Sequence, residues 1–479
     1  MTLKQSFLFN TLFTLGVNLL IKPIWVFGID RTVQNRLGES DYGLYFAIFN
    51  FTYLFQILLD FGLQNFNQTE IAADNNKLRK ILPGMLLTKL VMTVSYLVLT
   101  IGVAIALGYA AEKFFPWLLL NQILLSFNIF LRSNISANRL FIKDAFLSIC
   151  DKVLMIIGCS LMLSGIIPAL QLNIENFVFI QTISLAITTV FCVFFIHKLV
   201  PDLEWNLNEV LLLKIIRQAL PFAAIYFLMT LYYRIDTVMI EQMLGQDGAK
   251  EAGIYAQSYR IMESVNNLGY LVAGLLLPLF AFRIGQKQSF MSELRHGFGL
   301  MLCIAVPIIT GGYFYAPEII ATLYPGTDSI YSANIFRILL LNFFPVAILY
   351  VFGPLLTANR SFRWMIISLV IASSLNVLLN YLLIPDFGAF GASFATLVTQ
   401  TIMLISYTLA LYKIFKINFS ASLAARTTAF IALTILLNGL IYRTQLHWFP
   451  ALVITGTLSL AAGWILKVIS MDTLRLKIH

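Results

Sequence analysis

From one end to the other the chain alternates between apolar runs of about 20 residues and short polar connectors. Each run can carry an α-helix across roughly 30 Å of hydrocarbon. A helix is needed there because the bilayer core offers no partners for free backbone N–H and C=O groups. Windows of that length place spans near 7–29, 42–66, 82–108, 114–131, 145–166, 177–197, 219–241 and 256–282. Six more fall near 297–315, 334–357, 364–384, 388–412, 425–442 and 449–469. The pattern predicts an all-α polytopic membrane protein with about 14 transmembrane helices. The longest connector is about twenty residues, too short for a large extramembrane domain.

Composition agrees with that pattern. The chain is 59% hydrophobic and 11% charged, whereas a soluble domain is about a quarter charged. The net charge of +9 does not mark a nucleic-acid binder, because the cations sit in short loops and form no stripe with interleaved aromatics. Their distribution carries topology instead. With the N-terminus in the cytoplasm and the spans alternating, cytoplasmic segments hold 21 Lys and Arg and outer loops hold 5. A missed helix would invert every later loop and spoil that bias, so the charges predict cytoplasmic N- and C-termini in a multi-pass membrane protein. No alanine precedes Ala47, so the first run lacks an A-x-A-like cleavage site and is expected to remain as a helix. Cys150, Cys159, Cys192 and Cys303 all fall in apolar runs without C-x-x-C spacing. No metal, disulfide framework or other cofactor is expected from them.

An internal repeat organises the spans. The first span ends in FGIDRTVQNRLGESDYGLYFAIFN, and the seventh in YYRIDTVMIEQMLGQDGAKEAGIYAQSYR. In both, an Asp (Asp30, Asp236) is followed by a polar loop and then by Gly43-Leu44-Tyr45 or Gly253-Ile254-Tyr255, which opens the next helix. Both copies start on the same side, which predicts two parallel, pseudo-symmetric six-helix lobes, 1–200 and 201–415, with two additional C-terminal helices in 416–479.

The helices matched by the repeat also carry polar stripes. Ser6, Asn10, Thr14, Asn18 and Lys22 follow at spacing four in the first helix, and Tyr226, Thr230, Arg234 and Thr237 in the seventh. The second helix shows Thr52, Gln56 and Asp60 beside Tyr53 and Gln64, and the eighth shows Arg260, Glu263, Ser264 and Asn267. Hydroxyl and amide groups in a membrane also serve simply to join helices. Charged groups there are costly and face a bundle interior or a wet cavity. Lys22, Arg234 and Arg260 are therefore candidate anion ligands, since guanidinium and ammonium groups suit phosphate. Asn18, Gln56, Thr230 and Asn267 are candidates to line a sugar path. Asp60, Asp236 and Glu263 are candidates for ion coupling or for pairing with the cations. Lys89, Lys152 and Arg337 are expected to snorkel to the membrane surface. No side chain is expected to be catalytic.

Three stretches carry a resemblance to a known family: NRLGESDYGLY…LLDFGL (Asn35–Leu63), LPFAAIYFLMTLYYRIDTVMI…AGIYAQSYRIME (Leu220–Glu263) and NVLLNYLLIPDFGAFGASFATLVTQ (Asn376–Gln400), the last preceded by LLTANRSF. On these the chain resembles the polysaccharide exporter, or oligosaccharide flippase, family. Its superfamily also contains multidrug and toxin extrusion proteins and lipid II flippases. The first half departs from the pattern, having only the Pro168 turn where the second half has Gly388 to Ser393.

The resemblance implies two lobes around a central cavity that opens alternately to either side. It also implies translocation of polyprenyl-diphosphate-linked oligosaccharide for O-antigen, capsule or exopolysaccharide synthesis. The implied partners are the lipid-linked substrate, the bilayer and other polysaccharide-assembly proteins. Rival readings are a multidrug or cation antiporter and a lipid II flippase of the same superfamily. A polytopic glycosyltransferase or polymerase fits the hydropathy too, but it should show a long outer loop with catalytic acidic or Arg motifs.

Overall fold

The computed structural model describes residues 21, 23–61, 63–64, 77–138, 140–168, 170–200, 209–417 and 421–469. Most of the expected first span, including Asn18 and Lys22, lies outside them. The described residues are helical, with no strand among them. Twelve of their helices are long and apolar enough to cross a membrane. One of these, 54 residues long, is two helices joined at Gly388. The twelve therefore account for the second to fourteenth spans expected from the hydropathy.

The chain forms two compact units, Met1–Gly253 and Ile254–His479. In the first unit, a π-helical stretch (Ile24–Asp30) runs straight into α1 (Arg31–Leu37). Gly38, at φ 86, ends α1 and starts α2 (Glu39–Leu54). Helix α2 tightens into a 3₁₀ turn, Phe55–Leu59, and is broken at Asp60 and Phe61, the latter at φ 40. Then follow α3 (Lys77–Leu107), α4 (Phe115–Ala137), α5 (Phe141–Ser164), α6 (Ile174–Leu199) and α7 (Glu209–Met243). Helix α4 starts with Pro116 in its first turn, where the missing N–H costs nothing. Asn173 caps α6 by accepting from the Asn176 N–H at 2.7 Å.

Two packing relations place the site: α2 lies along α7, and the 3₁₀ turn lies against α3. Helix α3 turns Leu90, Val91, Val94 and Val98 outward. Apolar residues left exposed on the same side of a helix are what a lipid-facing surface requires. Facing inward at one end are Leu78, Leu82, Met85, Phe130 and Ile196, which form an apolar cluster.

A long helix, α8 (Gly248–Gly285), leads into the second unit. It is followed by α9 (Met291–Phe314), α10 (Ala316–Leu323), α11 (Ser329–Ala358), α12 (Phe362–Phe415), α13 (Ala421–Arg443) and α14 (Trp448–Ile465). Asp328 caps α11 through the N–H groups of Ile330 and Tyr331, both at 3.1 Å. Helix α11 packs between α9 and α12, and α9 also carries α13 and α14 on its flank. Within α12, Pro385 and the left-handed Gly388 (φ 56, ψ −138) make the turn between two antiparallel spans. Ser368 and Ser406, hydrogen bonded at 2.6 Å, tie those spans together further along. The short helix α10 had no counterpart among the expected elements, being shorter than any hydropathy window used to find spans.

Candidate functional site

The polar positions of α2 do not share one face. Thr52 is buried; its hydroxyl donates to the Phe49 carbonyl at 2.9 Å and accepts from the Gln122 amide of α4 at 3.5 Å. Asn50, Tyr53 and Gln56 instead look toward α7. The Arg234 guanidinium donates to the Asn50 side-chain oxygen at 3.0 Å and lies over the Tyr53 ring, 4.8 Å from its centroid. Stacking on an aromatic face while donating sideways is a geometry that arginine allows and lysine does not. Two turns away, the Tyr226 hydroxyl donates to the Gln56 side-chain oxygen at 3.0 Å and sits 3.5 Å from the Tyr53 hydroxyl. Thr230 is buried midway between Tyr226 and Arg234 on α7. These residues form a polar seam between α2 and α7, with one permanent cation, two phenols and two amides.

At the broken end of α2 the seam meets a charge pair. Lys89 of α3 is fully buried, and its ammonium lies 3.6 Å from the Asp60 carboxylate. It donates to the Ser126 hydroxyl at 2.6 Å and faces the rings of Phe127 and Phe130 at 5.8 and 5.6 Å. The expectation that Lys89 snorkels is thus corrected. Its stem points into the unit, where Asp60 compensates the cost of the charge. Lys152, 33% exposed, pairs with Asp151 at 3.3 Å and lies over Trp25.

Near the end of α7, Tyr109 is buried and its hydroxyl donates to the Glu241 carboxylate, which also accepts from Gln242 at 2.8 Å. Burial first, and then the Glu241 charge, push the Tyr109 phenol above its ordinary range, so it remains a neutral donor. Asp30 is also buried, accepting from the Tyr42 hydroxyl at 2.9 Å.

The structure therefore brings together four expected residues, Gln56, Thr230, Arg234 and Asp60, in the first unit. Asp236 lies on the same helix and is buried. Arg260, Glu263 and Asn267 belong to the second unit, all on α8. There Arg260 pairs with Glu263 at 3.0 Å, and the Asn267 amide donates to the Glu263 carbonyl at 3.0 Å. Asn18 and Lys22 are outside the described residues. Sequence reasoning missed Asn50 and Lys89 as partners of the site. Among the described residues, no cluster of three or more His, Cys, Asp or Glu fits a metal ion.

Comparison with known proteins adds a family and a fold. The profile of a family described as "polysaccharide biosynthesis protein" matches residues 36–327. No curated protein sequence matches the chain. Among solved structures, the lipid II flippase MurJ in an inward closed conformation is similar at a TM-score of 0.69 and 16% identity, over 98% of this chain and 99% of that one. An inward-facing multidrug resistance MATE family transporter of the MOP superfamily is similar at 0.65 and 13% identity, over 85% and 95%. A mutant MATE transporter of Vibrio cholerae is similar at 0.56 and 14% identity, over 86% and 97%. These likenesses establish the fold.

Proposed function

Since the chain belongs to the polysaccharide biosynthesis protein family, we propose that it is a non-enzymatic flippase that moves polyprenyl-diphosphate-linked oligosaccharide repeat units across a bacterial cytoplasmic membrane. The repeat units would serve O-antigen, capsule or exopolysaccharide synthesis. The observation that carries this reading is the α2–α7 seam, in which a stacked arginine is followed by phenols and amides. Arginine offers a fork of donors to a diphosphate, and the amides and hydroxyls suit a sugar. The polyprenyl tail stays in lipid, so only the polar head needs the seam.

Transport by this reading is alternating access: lobes 1–200 and 201–415 rock about the head group, with both termini in the cytoplasm. Lys22 and Arg260 are further candidate anion ligands, and Asn18 and Asn267 further sugar ligands. Energy comes from an ion taken up at Asp236 or Glu263, or from the membrane potential. Asp60 shares that candidacy and is given another role below.

A cation antiporter is disfavoured because the seam presents Arg234, while Asp60 at its end already faces Lys89. A lipid II flippase differs from this reading in cargo rather than fold. Reconstituted into vesicles, the protein should move a fluorescent polyprenyl-diphosphate-linked sugar between leaflets; a rate equal to that of protein-free vesicles would refute the proposal.

A further inference from the structure

The Lys89–Asp60 pair is poorly explained by stability. Taking both charges out of water costs more than their attraction returns unless the geometry is very good, and apolar replacements of such pairs are often neutral or stabilising. This geometry is not very good: the ammonium is 3.6 Å from the carboxylate and gives its short hydrogen bond, 2.6 Å, to Ser126. Asp60 Oδ1 is buried beside Lys89 with no hydrogen-bond partner among the described residues, whereas the Asp60 side chain keeps 29% of its surface exposed. Asp60 also stands where α2 stops being a helix, and Ser126 reaches the Leu59 carbonyl there at 3.4 Å. The lysine thus holds a broken helix end and its carboxylate together. That carboxylate lies one turn from Gln56 and within electrostatic reach of Tyr226.

The seam is consequently bipolar. Arg234 engages Asn50 at one end, and Asp60 stands ten residues further along the chain, past the 3₁₀ turn. We propose that Lys89 is a positioning residue that keeps the Asp60 carboxylate aimed at the seam, where it accepts hydrogen bonds from sugar hydroxyl and acetamido N–H groups. This rests on the flippase reading and deepens it: Arg234 takes the diphosphate, and Asp60 selects a neutral sugar next to it. A uronic acid placed there would meet a like charge.

Binding of two lipids to the purified protein tests this: undecaprenyl diphosphate, and undecaprenyl diphosphate carrying N-acetylglucosamine. The wild type should prefer the sugar-bearing lipid. Arg234→Ala should weaken both lipids alike. Lys89→Met alone leaves a carboxylate unpaired and lowers the yield of folded protein, so the informative variant is Lys89→Met with Asp60→Asn. It should fold, bind undecaprenyl diphosphate as the wild type does and lose the preference for the sugar, by about tenfold. Lys89→Arg should keep the preference. A double variant that retains the full sugar preference overturns the inference while leaving the flippase reading intact. A wild type that binds neither lipid refutes the flippase reading, and this inference with it.

Discussion

Gly43 and Gly253 pack backbone against backbone. A Cβ on Gly43 would stand 1.8 Å from the Ala249 carbonyl oxygen, and one on Gly253 would stand 1.9 Å from the Glu39 carbonyl oxygen. Each clashing carbonyl lies four residues before the opposite glycine, so the contact is reciprocal. These are the glycines of Gly43-Leu44-Tyr45 and Gly253-Ile254-Tyr255, the two copies of the internal repeat. Gln34 strengthens the same junction by donating to the Gly253 carbonyl at 3.1 Å.

Either glycine changed to alanine should therefore force the start of α2 away from residues 249–253. Overpacking of this kind costs about 1–3 kcal/mol. The expected result for Gly43→Ala is a lower melting temperature in detergent. Gly102→Ala on α3, where nothing lies within 4 Å, should be neutral or slightly stabilising through helix propensity. Equal melting temperatures for the two variants would contradict the close approach.

Arg234 should tolerate neither alanine nor lysine. Alanine removes the bond to Asn50 and the stacking on Tyr53. Lysine keeps the charge without the planar fork. Both variants should accumulate as folded protein, and transport should fall by at least tenfold, about 1.4 kcal/mol. Wild-type transport by Arg234→Lys would show that charge alone is used.

Tyr226→Phe should be milder. It removes the neutral hydrogen bond to Gln56, worth about 1 kcal/mol, and the long contact with the Tyr53 hydroxyl. Transport should fall several-fold with unchanged abundance, as read in vesicles. A loss as large as that of Arg234→Ala would place the phenol in direct contact with the diphosphate.

Tyr109→Phe addresses stability rather than transport, because Tyr109 joins the end of α3 to Glu241 of α7 outside the seam. A hydrogen bond to a charged group is worth about 1.5–3 kcal/mol. Since folding pushes the phenol up, its contribution is constant at neutral pH. It declines only above the ordinary tyrosine range, where the unfolded chain ionises and the folded one does not. Thermal unfolding of both proteins at pH 7 and pH 10.5 checks the sign: the gap between them should narrow at the higher pH.

Most of the helices were legible because a bilayer imposes one length and one composition on every span. Gly43 and Gly253 stood out in the sequence as well, each followed by an aliphatic residue and a tyrosine. The turn at Pro385 and Gly388 was legible as the short gap between the apolar windows 364–384 and 388–412. Helix α10 was not legible, because eight residues fall below the length at which hydropathy speaks.

The site was legible only in part, for a geometric reason. A spacing of four grouped Thr52, Gln56 and Asp60 on one face, as an unbroken α-helix would. The 3₁₀ turn at Phe55–Leu59 and the break after it set Thr52 apart from the other two. Thr52 turns to Gln122, Gln56 to Tyr226 and Asp60 to Lys89. Asn50 was overlooked because it lies off that spacing. Lys89 was misread because one lysine in a span usually snorkels, and its carboxylate partner lies 29 positions earlier in the sequence.

The leaflet distribution of lipid-linked saccharide in cells lacking this protein tests the flippase reading most directly. Labelling of intact and permeabilised spheroplasts would measure it. The saccharide should accumulate in the inner leaflet in the deletion strain, return to the outer leaflet with the wild-type chain, and stay inside with Arg234→Ala. An unchanged distribution in the deletion strain would contradict the flippase reading.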